Sequence, residues 1–447
     1  MGLFDRIRGG GNPRVAFIGI DGVPYSFLSS HFDELPNLAA LADEGTAGPI
    51  DSIVPPESSA CWPALTTGKN PGQTGVYGFQ DREVGSYDTY VPMGQDVQAE
   101  RVWDIVQQTD RDATVMNVPV TFPPQRELQR MVSGFLSPEL EKAAHPDSLR
   151  KFLKSIDYRI DVDAKLGHQD DKSDFIDDAY ATLEKRMEAF EKYLRADDWD
   201  LFFGVFMTPD RVNHFLFGDY ESDGKYADEF IEFYRTLDDY IGQIRDMLPD
   251  DVTLIVASDH GFTTLEYEVD INAWLQQNGW LSFDDDDPDG LSDITSDTRA
   301  YSLIPGRLYL NLDDREPRGS VPGDAYDEVR DELVEDLQSL EGPEGQPVCK
   351  RIVEKEDAFR GEHASIAPDL TIIPNNGFDL KAEFTDDTSV FSTGPRNGMH
   401  TFDNASLFID HPEAEIKDTD LLDIAPTILK LLEIDYNRSK YDGAALL

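Results

Sequence analysis

The feature that most constrains this chain is a series of short, β-rich apolar runs, each breaking off at polar residues. "RVAFIGI" (14–20) ends at Asp21-Gly22, "DLFFGVF" (200–206) leads into "MTPDRVNH", and "TLIVA" (253–257) leads into "SDHG". An apolar run of this length without polar alternation fits a strand buried on both faces, as in the centre of a parallel sheet. "TVMNVPV" (114–120), "LTIIP" (370–374) and "SLFI" (406–409) repeat the pattern. Helical periodicity fills the gaps. Its clearest stretch starts at a Ser173 cap and continues through Ile176, Tyr180, Leu183, Met187, Phe190 and Leu194. Strands alternating with helices predict an α/β fold with a central, mostly parallel sheet flanked by helices.

In such a sheet, ligands bind beyond the carboxyl ends of the strands. Asp21, Asp210 and the pair Asp259-His260 fall there, each just after an apolar run. His214 follows Asp210 by four residues, which puts both on one face of a helix. His400 lies in "NGMH", just before the last run. Carboxylates mixed with imidazoles suit Zn²⁺ or Mn²⁺ better than Mg²⁺ or Ca²⁺. The remaining histidines (His31, His145, His168, His363 and His411) lack such contexts and read as surface residues.

The stretch "VPPESSACWPALTTGKNPGQTG" (54–75) places Ser58 and Ser59 ahead of a short segment closed by Gly68. If that segment is helical, Ser58 sits near its N-terminus, where backbone N–H groups favour anions. Pro63 then belongs in the first turn. On these residues alone, Ser58 is either a nucleophile or a helix cap.

Charge excludes several classes. Asp and Glu total 88 against 39 Lys and Arg, a net charge of −49, with the acids spread along the chain. No basic footprint remains for nucleic acid, and an anionic membrane surface would repel the chain. The 25 Phe, 17 Tyr and 5 Trp are too many for a disordered acidic protein. A dispersed acidic surface suits molar salt, where the Debye length is about 3 Å and self-repulsion is screened. The composition thus predicts a folded, salt-adapted enzyme. Cys61 and Cys349 are too few for a disulfide framework. No run reaches signal-peptide or membrane-span length, so a cytoplasmic location is expected. Residues 1–13 read as a flexible lead-in, and 14–447 as one catalytic unit. Within it, 139–172 and 263–365 read as insertions that form a cap; the second holds "DDDDPDG" (284–290) and a helical stretch at 325–340.

Together these motifs resemble the alkaline phosphatase superfamily, in its type I phosphodiesterase/nucleotide pyrophosphatase branch. "FIGIDG", "PPESSACWPALTTGKNPGQTG", "DLFFGVFMTPDRVNH", "SDHG" and "GMH" match that branch's motifs in order, from about residue 14 to 435. The resemblance implies an alkaline-phosphatase-like sandwich and hydrolysis of a small phosphate ester, a diester or a pyrophosphate. It implies Ser58 as nucleophile, ten residues before Gly68, and a phospho-seryl intermediate. It also implies two divalent ions, Zn first and Mn second. Asp210, His214 and His400 would hold one, Asp21, Asp259 and His260 the other, with Ser58 Oγ between them. Phosphomonoesterase, phosphonate hydrolase and sulfatase activity, or a non-catalytic binding protein on the same fold, are the alternatives. The chain departs from the branch at Glu57 and Thr74, where an apolar residue and a His are common. It also lacks the phosphate-binding Asn that usually follows the nucleophile segment, and Gln80 is the candidate for its place.

Overall fold

The computed structural model describes residues 12–284, 288, 290–384 and 389–447. Most of the lead-in and part of the acidic run 284–290 therefore lie outside the described residues.

An eight-stranded sheet forms the centre, in the order Thr46–Ile50, Ala405–Ile409, Val252–Ala257, Arg14–Ile20, Leu201–Phe206, Ala113–Val118, Arg130–Ser133, Ala144–His145. The five strands from Val252–Ala257 to Arg130–Ser133 are mutually parallel, and antiparallel strands flank them on both sides. The apolar runs bury both faces, as their composition requires. Ala16, Ile18 and Ile20 face one core with Phe202, Phe206 and Val256. Val15 and Phe17 face the other with Phe203, Val205 and Ile255. Helices Ser173–Leu194, Thr208–Glu221 and Ala227–Met247 cover the first face, and helices Ser58–Thr67, Val102–Gln107 and Ile424–Leu431 the second. The α/β sandwich expected from sequence is the fold observed.

Two of the apolar runs take different places from their companions. The strand Ala405–Ile409 enters the central sheet antiparallel to its neighbours. The strand Leu370–Pro374 lies outside that sheet, in a separate antiparallel one ordered Ala300–Ile304, Arg307–Leu310, Leu370–Pro374, Cys349–Glu354. A short apolar run has the same period wherever it is buried, so its sequence gives neither the sheet nor the direction. This second sheet has its own apolar core, which includes Val269, Trp274, Trp280, Tyr301, Leu308 and Leu333. Residues 139–172 instead pack Leu149, Leu153, Tyr158 and Val162 into the first core.

Candidate active site

The three strands that carry the acidic tips are neighbours, with Arg14–Ile20 paired in register to Leu201–Phe206 on one side and Val252–Ala257 on the other. Parallel direction puts all three carboxyl ends on one edge, which brings Asp21, Asp210 and Asp259 together. Asp21 turns out of its strand through Gly22, whose φ is +69°. A Cβ on Gly22 would lie 3.2 Å from Asp210, so the Asp-Gly pair lets the two acidic tips approach. Helix Thr208–Glu221 starts directly after its strand and carries Asp210 in its first turn. His214 sits one turn on, its Nε2 3.5 Å from Asp210 Oδ1. His400 arrives on the strand Gly398–Thr401, which pairs antiparallel with Gly261–Asp270 and sets Phe262 opposite His400. His400 Nε2 is 3.2 Å from Asp210 Oδ1 and 3.0 Å from His214 Nε2.

Helix Ser58–Thr67 begins at Ser58, with Glu57 as its N-cap residue and Gly68 in the left-handed conformation at its C-terminus. Pro63 falls in the second turn, later than the first-turn position expected. The helix keeps it although it costs the bond to the Ser59 carbonyl, because all ten of its residues are buried. Ser58 Oγ donates to Asp21 Oδ1 at 3.2 Å and lies 3.1 Å from His260 Nε2. Asp21, Asp259 and His260 are fully buried and form one group of converging ligand atoms; Asp210, His260 and His400 form another, so His260 stands between the two.

The electrostatics fit a cation. Burial, then the charges of Asp259 and Asp210, push the Asp21 carboxyl well above its usual range. Burial pushes Asp259 up to about 7. Burial holds His260 well below the usual imidazole range and takes His214 down to about 3. Burial works against ionisation of Asp210 too, but His214, His400 and Arg211 outweigh it and hold that carboxyl low. Both neutral imidazoles have a defined tautomer. The Nδ1 of His260 lies 3.0 Å from the Gly261 carbonyl, and that of His214 lies 3.1 Å from the Gly398 carbonyl. A carbonyl only accepts, so each Nδ1 carries the proton and each Nε2 turns a lone pair to the cluster. Asp259 Oδ2 is buried and has no hydrogen-bond partner among the described residues. Buried carboxylates, one with an orphaned oxygen, beside imidazole lone pairs make a donor set suited to a divalent ion.

Several contacts at the site had no sequence signal. Trp62 Nε1 donates to Asp21 Oδ2 at 2.6 Å and orients that carboxylate. The indole is seated by Gly19, where a Cβ would lie 2.4 Å from the ring. Arg211 bonds Asp210 Oδ2 at 3.1 Å and Asp161 Oδ2 at 2.8 Å, leaving Asp210 Oδ1 for the histidines. Glu57, the departure beside Ser58, has its charge met: Oε1 accepts from the Phe79 N–H and Oε2 lies 3.6 Å from Arg307 Nη2. Gln80 lines the cleft, and its main-chain carbonyl also accepts from Arg307. The cleft has a volume of about 410 Å³ and runs from His214 and His400, past Glu57 and Phe79, to Ile304 and Thr371 of the second sheet.

A family described as "Type I phosphodiesterase / nucleotide pyrophosphatase" matches residues 15–403. The fold resembles phosphonoacetate hydrolase from Sinorhizobium meliloti 1021 at 14% identity and a TM-score of 0.61, over 94% of this chain and 96% of that one. It also resembles murine ectonucleotide pyrophosphatase/phosphodiesterase 5 at 13% identity and a TM-score of 0.54, over 96% and 97% of the two chains. Alkaline phosphatase PafA is similar at 13% identity and a TM-score of 0.60, over 98% and 99%. No curated protein sequence matches the chain. The family match spans every candidate residue from Asp21 to His400, and the chain, whose fold is alkaline-phosphatase-like, therefore belongs to the type I phosphodiesterase/nucleotide pyrophosphatase family of phosphoric ester hydrolases.

Proposed function

We propose that this enzyme hydrolyses phosphate diesters, with Ser58 as nucleophile and two divalent ions, Zn²⁺ foremost, held by Asp21, Asp210, His214, Asp259, His260 and His400. The observation that carries the reading is Ser58 Oγ at the N-terminus of its helix, 3.2 Å from Asp21 and 3.1 Å from His260 in one buried cluster. Bound in that cluster, divalent ions supply Lewis-acid charge to an anionic phosphoryl centre. The chain itself provides the nucleophile and its orientation. Ser58 Oγ bonds to phosphorus as the ester oxygen leaves with its electron pair and takes up a proton. Water then cleaves the phospho-serine and restores the hydroxyl. The helix N-terminus directs N–H groups toward the phosphoryl oxygens. Trp62 and Arg211 keep Asp21 and Asp210 turned toward the cluster.

Two observations favour a diester over a monoester or a sulfate ester. A monoester dianion calls for a free guanidinium, and the three arginines near the site are already paired, Arg211 with Asp161, Arg396 with Glu268 and Asp379, and Arg307 with Asp81. A sulfatase would take its formylglycine from Cys61, which lies fully buried in the apolar core behind the helix. A cap role for the second sheet is supported by Ile304, Pro305 and Gly306, which line the far side of the cleft. No helix among the described residues is long and apolar enough to cross a membrane; a cytoplasmic, salt-adapted protein is the reading that the net charge of −49 supports. In molar salt, the metal-loaded protein should turn over phosphate diesters faster than monoesters, sulfate esters or phosphonates. Both rate and melting temperature should fall at low salt. Faster monoester or sulfate turnover would exclude the diester reading, and a melting temperature indifferent to salt would exclude salt adaptation.

Metal binding should release protons. Burial raises Asp259 to about 7, so its carboxyl holds a proton below that pH, and burial also raises Asp21 well above the usual carboxylate range. A cation takes only the ionised forms. Apparent affinity should therefore weaken from pH 8 to pH 6, by up to about tenfold per unit for each proton displaced. Calorimetric titration in two buffers of different ionisation enthalpy reads the proton count; affinity constant over that range would contradict it.

A further inference from the structure

The wall of the cleft opposite the histidines bears on which leaving group the enzyme accepts, an inference that rests on the hydrolase reading above. The cleft of about 410 Å³ begins at Glu57, next to Ser58, and at His214 and His400, so it is the space open to the departing group, and its volume suits a small organic group. The wall holds cations, but each is already paired. Arg396 Nη2 bonds Glu268 Oε1 at 2.8 Å and Asp379 Oδ2 at 2.6 Å. Lys381 Nζ lies 2.5 Å from the same Asp379 oxygen and 3.5 Å from the same Glu268 oxygen. These four groups close a neutral square. Behind the Glu57 side, Arg307 is fully buried and lies 3.1 Å from Asp81 Oδ1 as well as 3.6 Å from Glu57. Three cations thus face four carboxylates. Between them the wall is apolar, made by Ile304, Pro305, Ile372, Pro374 and Met399.

We infer that this side of the cleft selects an uncharged leaving group, so that the substrates are singly charged phosphate diesters of neutral alcohols or phenols. A second phosphate or a carboxylate on the leaving group would meet a wall with a net negative charge. It could reach Arg396 or Lys381 only by displacing Asp379 or Glu268. Pyrophosphates and carboxylated esters are therefore poor substrates, whereas a neutral ring or alkyl chain lies against the prolines and Ile372.

The test uses two methyl aryl phosphates that differ only in the ring substituent, a 4-carboxamide or a 4-carboxylate, with inorganic pyrophosphate release from ATP as a third assay. The metal-loaded protein should favour the carboxamide at least tenfold in kcat/KM and turn over ATP more slowly than either. Asp379→Asn and, independently, Glu268→Gln free a cation and should shift the carboxylate-to-carboxamide ratio toward the carboxylate by about tenfold. Either variant suffices if the other fails to fold. A wild-type preference for the carboxylate or for ATP, or ratios unmoved in the variants, would overturn the inference alone. Turnover of none of the three by metal-loaded protein would overturn both the inference and the hydrolase reading.

Discussion

Replacing Ser58 with Ala should lower kcat on diesters by on the order of 10⁴-fold or more, the scale of losing a covalent nucleophile, while metal content stays near that of the parent. The two readouts separate because Ser58 supplies one oxygen to a cluster whose other donors come from two strand ends, a helix and the strand Gly398–Thr401. Asp21 keeps its bond from Trp62 and Asp259 its bond from the Gly22 N–H, at 3.2 Å. The helix also keeps its start, since the Ala60 and Cys61 N–H groups both bond the Glu57 carbonyl. Ser59→Ala should cost far less, because it is Ser58 whose Oγ meets Asp21 and His260. Rapid-quench assays would add a second check: the parent should yield a serine phosphodiester that keeps the retained alcohol, and the Ser58→Ala protein none. Near-parental turnover by Ser58→Ala would rule out the covalent route.

His400→Ala should lose about one metal equivalent and lower kcat/KM by about 100-fold or more, at or beyond what losing a group that merely supports a ligand costs. His400 Nε2 lies within 3.2 Å of both Asp210 Oδ1 and His214 Nε2; its loss leaves that pair without a third donor. The group Asp21, Asp259 and His260 is complete without it, so one equivalent should remain. Elemental analysis after gel filtration reads the stoichiometry. Retention of two equivalents would remove His400 from the ligand set. His411→Ala is the contrasting variant. His411 also closely follows an apolar strand, but that strand runs antiparallel to Val252–Ala257 and ends at the opposite edge of the sheet. Its loss should change neither metal content nor rate.

The contrast between those two histidines marks the division between local and tertiary information. Much of the site was legible along the chain. Runs such as "RVAFIGI" and "TLIVA" are apolar because central strands bury both faces, and the polar residue that ends each run falls at the strand tip. The spacing of Asp210 and His214 needed only helical periodicity to put them on one face. The motif order then identified the family and the place of Ser58.

Tertiary structure decided the rest. Period and composition of "SLFI" and "LTIIP" could not say that one strand would run antiparallel or that the other would join a different sheet. His400 reaches Asp210 only because Gly398–Thr401 pairs with Gly261–Asp270, nearly 140 residues earlier. The departure at Glu57 puts a charge beside an anion site, and only the fold brings Arg307, from the second sheet, to lie against it. Trp62 and Asp161 had no local mark at all, since each acts through a partner far away in the chain. The sequence by itself determined the type of each element and which residues lie at its tips, because backbone sterics and burial act over a few neighbouring residues. Only the tertiary structure decided which tips meet and which charges are paired, because those depend on how distant segments close their loops and share one buried surface.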